Sequence, residues 1–419
     1  MSNTPRPVKL FNTASQELED LIPISGNEVK VYCCGPTVYF YSHVGNYRTY
    51  VAWDVLVKTL RQVGYDVKHV MNITDVGHLT SDADEGEDKM DVAAKREGKS
   101  ALEISSFYTD IFFKHAGMLN IIRPNIVAKA TEHIPEMIEM IQTLERKGYA
   151  YVANNGNVYF DTAKFADYGK MARLDIENLR HGARVEEDAH KKSPTDFVLW
   201  FVTSKFGAQE QRWDSPWGVG YPGWHIECSA MSVKYLGEQI DIHCGGEDHI
   251  NIHHTNEIAQ SEAYLGHKWV NFWLHTKFML LKDMKISKSK GDVMTPETLS
   301  EWGFNPLAFR HLVLTSNFRK QVTLSKESLE SSQNFLNKLY GKVEEYKKAY
   351  EASGNGAESN TSGRAKEVLD KFYEVLCRDL GTAQALACLN GVFKDKELSD
   401  ASKYLVIQEM DKILGLLPA

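Results

Sequence analysis

Glu28-Val29-Lys30-Val31-Tyr32-Cys33-Cys34-Gly35-Pro36 opens the unit that decides the fold. Residues 28–33 alternate in the manner of a strand, and Gly35-Pro36 ends the run. From 47 to about 63, Ala52, Leu56, Leu60 and Val63 recur at helical spacing, and Gly64 closes the helix. Asp66-Val67-Lys68-His69-Val70-Met71-Asn72-Ile73 reads as a second strand. Strand, helix and strand form a βαβ unit, so the fold class is α/β with a parallel sheet and crossover helices. Ligands in such sheets sit beyond the carboxyl ends of the strands. Cys34, His43 and Thr74 all fall near that edge.

Outward from this unit the pattern changes several times. Residues 76–90 are polar and acidic. Within them Asp82-Ala83-Asp84-Glu85-Gly86-Glu87 has its glycine one position too early for an EF-hand loop, so a solvated acidic loop is expected. Helical patterns run from about 101 to 148. Residues 150–222 have short apolar runs, turns and aromatics, as in an inserted β-rich or mixed module. Residues 239–243 return to strand character, 253–265 read as a helix and 269–281 as strands. Beyond about 322 the chain is helical, with a Gly/Ser/Asn-rich linker at 351–364. No internal repeat is present.

With 419 residues and 43% hydrophobic content, the chain can build two or three packed domains. Its net charge of −8 argues mildly against a nucleic-acid binder while leaving room for a local basic face. No apolar stretch is long enough to span a membrane, and the first residues lack a hydrophobic signal core, so a cytoplasmic location is expected. Six cysteines are too sparse for a disulfide framework. They are expected to be buried apolar residues, metal ligands or nucleophiles.

Two motifs suit phosphate. His43-Val44-Gly45-Asn46 opens a helix, where a histidine and a close-approach glycine can meet nucleotide phosphates at the positive helix end. Lys285-Ile286-Ser287-Lys288-Ser289-Lys290-Gly291 crowds ammoniums and hydroxyls into a short loop able to wrap a triphosphate. Taken alone each is weak, and a lysine/serine loop is a solvated surface turn more often than not; together, in this order, they point to ATP chemistry. His243 followed by Gly245-Gly246-Glu247-Asp248 fits a loop where backbone approaches a nucleotide, or a plain turn. The tryptophans of Trp213-Asp214-Ser215-Pro216-Trp217 and Gly223-Trp224-His225 suit a packed core or a pocket wall.

His253 and Glu257 stand four apart on one helix face. With Cys34 and Cys228 they would make a donor set that zinc accepts. No Cys-x-x-Cys spacing supports this, and each cysteine could simply pack in a core. His254 competes with His253, and Cys33 with Cys34; strand alternation puts one of the two cysteines on each face of the sheet.

The chain resembles the cysteinyl-tRNA synthetases, a family of class I aminoacyl-tRNA synthetases. The resemblance rests on Cys34-Gly35-Pro36-Thr37-Val38-Tyr39, His43-Val44-Gly45-Asn46, Asn72-Ile73-Thr74-Asp75 and Gly223-Trp224-His225-Ile226-Glu227-Cys228-Ser229-Ala230-Met231. It also rests on Asp241-Ile242-His243, His253-His254-x-Asn256-Glu257-Ile258-Ala259-Gln260 and Lys285-Ile286-Ser287-Lys288-Ser289. These extend over residues 8–345. The resemblance implies a Rossmann-type catalytic domain at 1–125 and 222–285, split by a connective insertion at 126–221. A signature-loop and stem-contact region at 286–325 and a helical tRNA-binding-type domain at 326–419 would follow.

The implied reaction activates L-cysteine with ATP and Mg2+ to cysteinyl-adenylate and pyrophosphate, then transfers the acyl group to tRNA(Cys), in a monomer. The resemblance implies one zinc on Cys34, Cys228, His253 and Glu257. It puts Cys34, Thr74, Trp224 and His243 at the bound cysteine. Around ATP it puts His43, Gly45, Asn46, Gly245, Gly246, Asp248, Lys285 and Lys288, with His43, Lys285 and Lys288 catalytic. Rival readings are a cysteine ligase with another acceptor, such as an amino sugar or a carrier protein, and a non-catalytic zinc-stabilised interaction protein.

Three departures stand out. Asn46 replaces the second histidine of the signature. Gly77-His78-Leu79-Thr80-Ser81 follows Thr74-Asp75-Val76 where the family often continues Ile-Asp-Asp-Lys. No anticodon module is evident before Ala419, and residues 331–419 hold 12 Lys and Arg against 13 Asp and Glu. Recognition of a tRNA is therefore expected to depend on its acceptor end more than on its anticodon.

Overall fold

An antiparallel hairpin, β1 (Lys9–Asn12) with β2 (Glu17–Asp20), precedes the βαβ unit in this computed structural model. The structure describes residues 4–77, 89–174, 189–203, 210–282, 293–353 and 363–418. The expectations for the acidic segment 82–87, for Lys285 and Lys288, for most of the 77–81 departure and for most of the 351–364 linker lie outside the described residues.

The unit itself is β3 (Glu28–Cys33), α1 (Val44–Gln62) and β4 (Asp66–Ile73). Both faces of β4 are buried from Val70 to Ile73, as a strand covered by helices on both sides requires. α1 is capped by His43 and closed at Gly64, whose φ of +105° suits a residue without a side chain. After β4 come α2 (Lys89–Glu97), α3 (Ala101–Met118) and β5 (Ile126–Lys129). The sequence predicts helix from about 101 to 148. β5 interrupts it, because this four-residue run pairs in parallel with the end of β4 and joins the central sheet. The central sheet thus includes residues 126–129, which the resemblance had put at the start of the insertion. The segment is too short for periodicity to reveal.

α4 (Ile134–Arg146) leads into a four-stranded antiparallel sheet of β6 (Ala150–Val152), β7 (Val158–Phe160), β8 (Phe197–Phe201) and β9 (Tyr221–Pro222). Then α5 (Trp224–Leu236), β10 (Ile240–Gly246), α6 (His253–Leu265) and β11 (Val270–Thr276) return to the central sheet. That sheet is parallel throughout, in the order β11-β10-β3-β4-β5. The chain moves from β3 outward to β5, then comes back to the other side of β3. The reversal puts a topological switch between β3 and β10, and crevices for ligands open at such points.

β12 (Met279–Leu281) pairs in parallel with β13 (Val322–Leu324), enclosing α7 (Pro296–Glu301) and α8 (Pro306–Leu314). Among the described residues four helices follow: α9 (Lys326–Ala352), α10 (Gly363–Leu376), α11 (Thr382–Val392) and α12 (Asp400–Leu414). They share one apolar core with α1, β3 and β11, so the bundle packs on the sheet as a continuation of its interior. Fully buried Arg310 of α8 fastens this junction. It pairs with Asp54 of α1 and donates to the carbonyl oxygens of Leu119 and Ile413. No helix among the described residues is long and apolar enough to cross a membrane.

Candidate active site

A cleft of about 480 Å³ opens at the switch point between β3 and β10. Its walls include Cys34, Gly35 and Pro36 after β3, Tyr39, Phe40 and Tyr41 beyond them, His43 and Asn46 at the start of α1, Trp224 from α5, Gly246 at the end of β10 and Asp248 after it.

The start of α1 has a specific local architecture. His43 is the N-cap, and its Nδ1 accepts from the Asn46 backbone N–H at 3.2 Å. In return, Asn46 Oδ1 accepts from the His43 backbone N–H at 3.0 Å. This is a reciprocal capping box. A side chain on Gly45 would meet the His43 ring, with its Cβ 2.8 Å from Cε1. Glycine is therefore what lets the imidazole fold back over the helix start. With Nδ1 accepting, the neutral ring carries its proton on Nε2. Burial holds the His43 pKa below its ordinary value, so this neutral form is the one present near pH 7. Asn46, a departure from the signature, keeps the histidine in place through its amide.

At the end of β3, Gly35 has no alternative residue. A Cβ there would lie 1.7 Å from the Asn72 carbonyl oxygen, while the Gly35 N–H donates to Asn72 Oδ1 at 2.7 Å. Asn72 also donates to Thr74 Oγ1 at 3.1 Å, and Thr74 donates to buried Glu227 at 3.0 Å. Thr74 thus supports the β3 end from behind and does not line the cleft. The same holds for His243 and Gly245, which are buried beneath the wall, and for Gly45, which lies under the His43 ring. Of the other residues expected at the ligands, Cys34, His43, Asn46, Trp224, Gly246 and Asp248 do form the walls.

Behind Cys34, four donors meet: the ligating atoms of Cys34, Cys228, His253 and Glu257 lie within 4.8 Å of one another, all buried. Strand alternation places them. Cys33 faces the α1 core, and Cys34 faces the cluster with Cys228. The i, i+4 pair delivers His253 Nε2 to 2.9 Å from Glu257 Oε1. Donors held at about 2.0–2.3 Å around a tetrahedral metal stand roughly 3.3–3.8 Å apart, so a set that lies within 4.8 Å can close on a metal ion with small side-chain movements. The electrostatics agree. Burial and the neighbouring Cys228 sulfur push the Cys34 thiol well up. Burial alone would raise Glu257, but His243 and His253 hold it down at about 2. A cation at the centre would relieve both crowded sulfurs and the carboxylate.

A ring of further histidines surrounds this set. His225 Nδ1 lies 2.9 Å from His253 Nδ1, and the Trp224 ring lies over His253 at 4.2 Å. His243 Nε2 lies 2.8 Å from Glu257 Oε2. His254, the competitor of His253 in the sequence, also reaches the centre, with Nε2 3.3 Å from Cys34 Sγ. Its Nδ1 is 2.7 Å from His275 Nε2, and His275 Nδ1 is 2.8 Å from Thr13 Oγ1. Sequence reasoning missed His225, His275 and Thr13 at the site. Strand alternation in β11 puts His275 and Trp273 on one face, a signal that was there to be read.

A parallel sheet with a switch-point crevice, a histidine-capped helix at its mouth and an inserted domain after β5 defines a class I tRNA synthetase catalytic domain. The family model for the tRNA synthetases class I (C) catalytic domain matches residues 20–334. The chain is 49% identical to the cysteine–tRNA ligase of Treponema denticola, covering 98% of this chain and 86% of that protein. It is 45% identical to the cysteine–tRNA ligase of Borreliella burgdorferi, with the same coverage. The chain belongs to this class I family, among the cysteine–tRNA ligases. Mycobacterium tuberculosis methionyl-tRNA synthetase, solved with methionyl-adenylate, shares the fold at a TM-score of 0.63 and 15% identity, covering 93% of this chain and 90% of its own.

Proposed function

We propose that this chain activates L-cysteine with magnesium-bound ATP and transfers it to tRNA(Cys), and that selection of cysteine occurs at zinc held by Cys34, Cys228, His253 and Glu257. The observation that carries this reading is the set of two thiols, an imidazole and a carboxylate gathered directly behind the cleft wall. Zinc, when bound, stabilises a substrate thiolate, whereas a serine hydroxyl stays protonated and binds weakly. A purely apolar pocket discriminates such small changes poorly.

The chain's own residues divide the remaining work. His43 offers its Nε2–H at the mouth of the cleft, at the positive end of α1, where developing phosphate charge is stabilised. Gly246 lets backbone approach the nucleotide, and Asp248 stands on the same wall, within reach of a ribose or an ammonium group. Trp224 braces the His253 ring and closes the cleft beside the cysteine. Lys285 and Lys288 supply positive charge to the transferring phosphoryl group. No side chain acts as a nucleophile: the cysteine carboxylate attacks the α-phosphorus and pyrophosphate leaves. The 2′- or 3′-hydroxyl of the terminal adenosine then attacks the acyl carbon, and AMP leaves.

The test is cysteine-dependent ATP–pyrophosphate exchange, followed by acylation of tRNA(Cys) transcripts. Exchange and acylation with cysteine, and neither with serine, are expected. Exchange without acylation would rule out tRNA(Cys) as the acceptor. Exchange that survives in metal-free protein would rule out zinc as the selector.

A further inference from the structure

Cys34 and Glu257 do not face one group of donors alone. The ligating atoms of Cys34, His243, His254 and Glu257 also lie within 4.8 Å of one another, again all buried. Glu257 reaches both groups, and its Oε1 also lies 3.9 Å from His254 Nε2 and 4.0 Å from Cys34 Sγ. Oε1 faces His253 at 2.9 Å, and Oε2 faces His243 at 2.8 Å. Cys34 Sγ stands 3.3 Å from His254 Nε2 on the second side.

Of the two imidazoles of the second group, His254 carries the support that a metal site needs. A ligating imidazole is oriented by a partner on its other nitrogen. His254 has one: His275 Nε2 at 2.7 Å from its Nδ1, itself held by Thr13 Oγ1 at 2.8 Å. With each Nδ1–H donating outward along this chain, the lone pair of His254 Nε2 points at Cys34. His243 is clamped by the Trp273 ring, nearly parallel at 4.5 Å. One thiol, two imidazoles and one carboxylate suit a borderline divalent cation.

We propose that Cys34, His243, His254 and Glu257 form a second, alternative position for a divalent transition metal. It is mutually exclusive with the first because the two share Cys34 and Glu257. This rests on the reading that Cys34, Cys228, His253 and Glu257 hold the resident metal. The metal can then move between a two-sulfur position under Trp224 and a one-sulfur position against Trp273 without leaving the protein.

The experiment uses the full chain loaded with cobalt(II), whose thiolate charge-transfer absorption counts Co–S bonds, together with metal analysis per chain. The wild type should hold one cobalt with two-thiolate intensity. The Cys228→Ala/His253→Asn double variant lacks both donors unique to the first position. It should still bind one cobalt per chain, with the charge-transfer intensity roughly halved. Adding His254→Asn should abolish binding. In the double-variant background, His275→Phe should weaken binding about 10–100-fold, as loss of a supporting partner does.

A double variant that keeps its native circular dichroism but binds no cobalt overturns the second position and leaves the first intact. If instead His254→Asn alone empties the wild type while Cys228→Ala does not, the second position stands and the resident assignment fails. Should the double variant not fold, Cys228→Ser/His253→Gln tests the same donors with smaller change. Binding that survives removal of His254 from the double variant overturns the proposal.

Discussion

Gly35 and Gly45 each exclude a methyl group for a different reason, and the two sites separate structure from chemistry. At Gly35 the obstacle is a backbone carbonyl oxygen, 1.7 Å from where a β-carbon would stand, so no side-chain adjustment can relieve it. Gly35→Ala should push the β3 end off Asn72 and carry Cys34 with it. We expect loss of bound metal and of cysteine activation together, measured by metal analysis and pyrophosphate exchange. A variant with full metal content would show that Cys34 does not depend on this contact. At Gly45 the obstacle is the His43 ring, which can swing away. Gly45→Ala should therefore keep the metal, lose the His43 cap at a cost of about 1 kcal/mol, and lower kcat for adenylate formation. Asn46→Ala removes one half of the capping box. It should cost about 1 kcal/mol of stability, read from urea denaturation, because an N-cap interaction is worth roughly that much.

At the scale of elements, α8 carries a pH-sensitive contact distant from the cleft. His311 stacks on Phe335 of α9 with ring centroids 4.1 Å apart. Burial lowers its pKa to about 4, from an unfolded value near 6.5. The unfolded chain therefore binds a proton first as the pH falls. The contribution to stability is fully present above about pH 6.5. It is lost progressively as the pH falls towards about 4, and amounts to at most about 3 kcal/mol. His311→Phe keeps an aromatic ring and removes the titration. The difference between denaturation midpoints at pH 7 and pH 4.5 should shrink in this variant. An unchanged difference would place the acid sensitivity elsewhere.

Across the whole molecule, one buried ion pair ties the C-terminal helices to the sheet. Arg310 and Asp54 are both fully inaccessible, and Asp54 also holds Lys58 at 2.8 Å and accepts from the Ile122 N–H at 2.9 Å. Removing one partner of such a pair leaves a buried charge uncompensated, which costs about 3–5 kcal/mol. Asp54 keeps Lys58 as a partner, so Arg310→Ala should cost the lower end of that range, about 3 kcal/mol. Adding Lys58→Met, which leaves Asp54 with neither cation, should deepen the loss. A loss under about 1 kcal/mol in Arg310→Ala would show that the apolar core alone holds the junction.

The amino-acid sequence by itself determined the βαβ unit, the helix from 253 to 265 and the pairing of His253 with Glu257. Each of these follows from periods of two or 3.6 that act over a few residues. The same local rule separated Cys33 from Cys34, and the strings around His43, Trp224 and His253 disclosed the family. Only the tertiary structure decided which groups meet. Cys34 and Glu257 are 223 residues apart in the chain, and they come together because β3 and β10 are neighbours across the switch point. β5 escaped notice because four residues carry too little pattern, and it exists as a strand through its pairing with β4. His225 escaped because a histidine's role is set by what faces each ring nitrogen, which chain spacing does not encode, and His275 escaped although strand alternation placed it on the face of Trp273. The structure puts Thr74 and His243, expected at the bound cysteine, in the layer behind the cleft wall. It turned the rivalry between His253 and His254 into two donor sets that share a thiol and a carboxylate, because adjacent residues on a buried helix point about 100° apart and both can find partners in a closed interior.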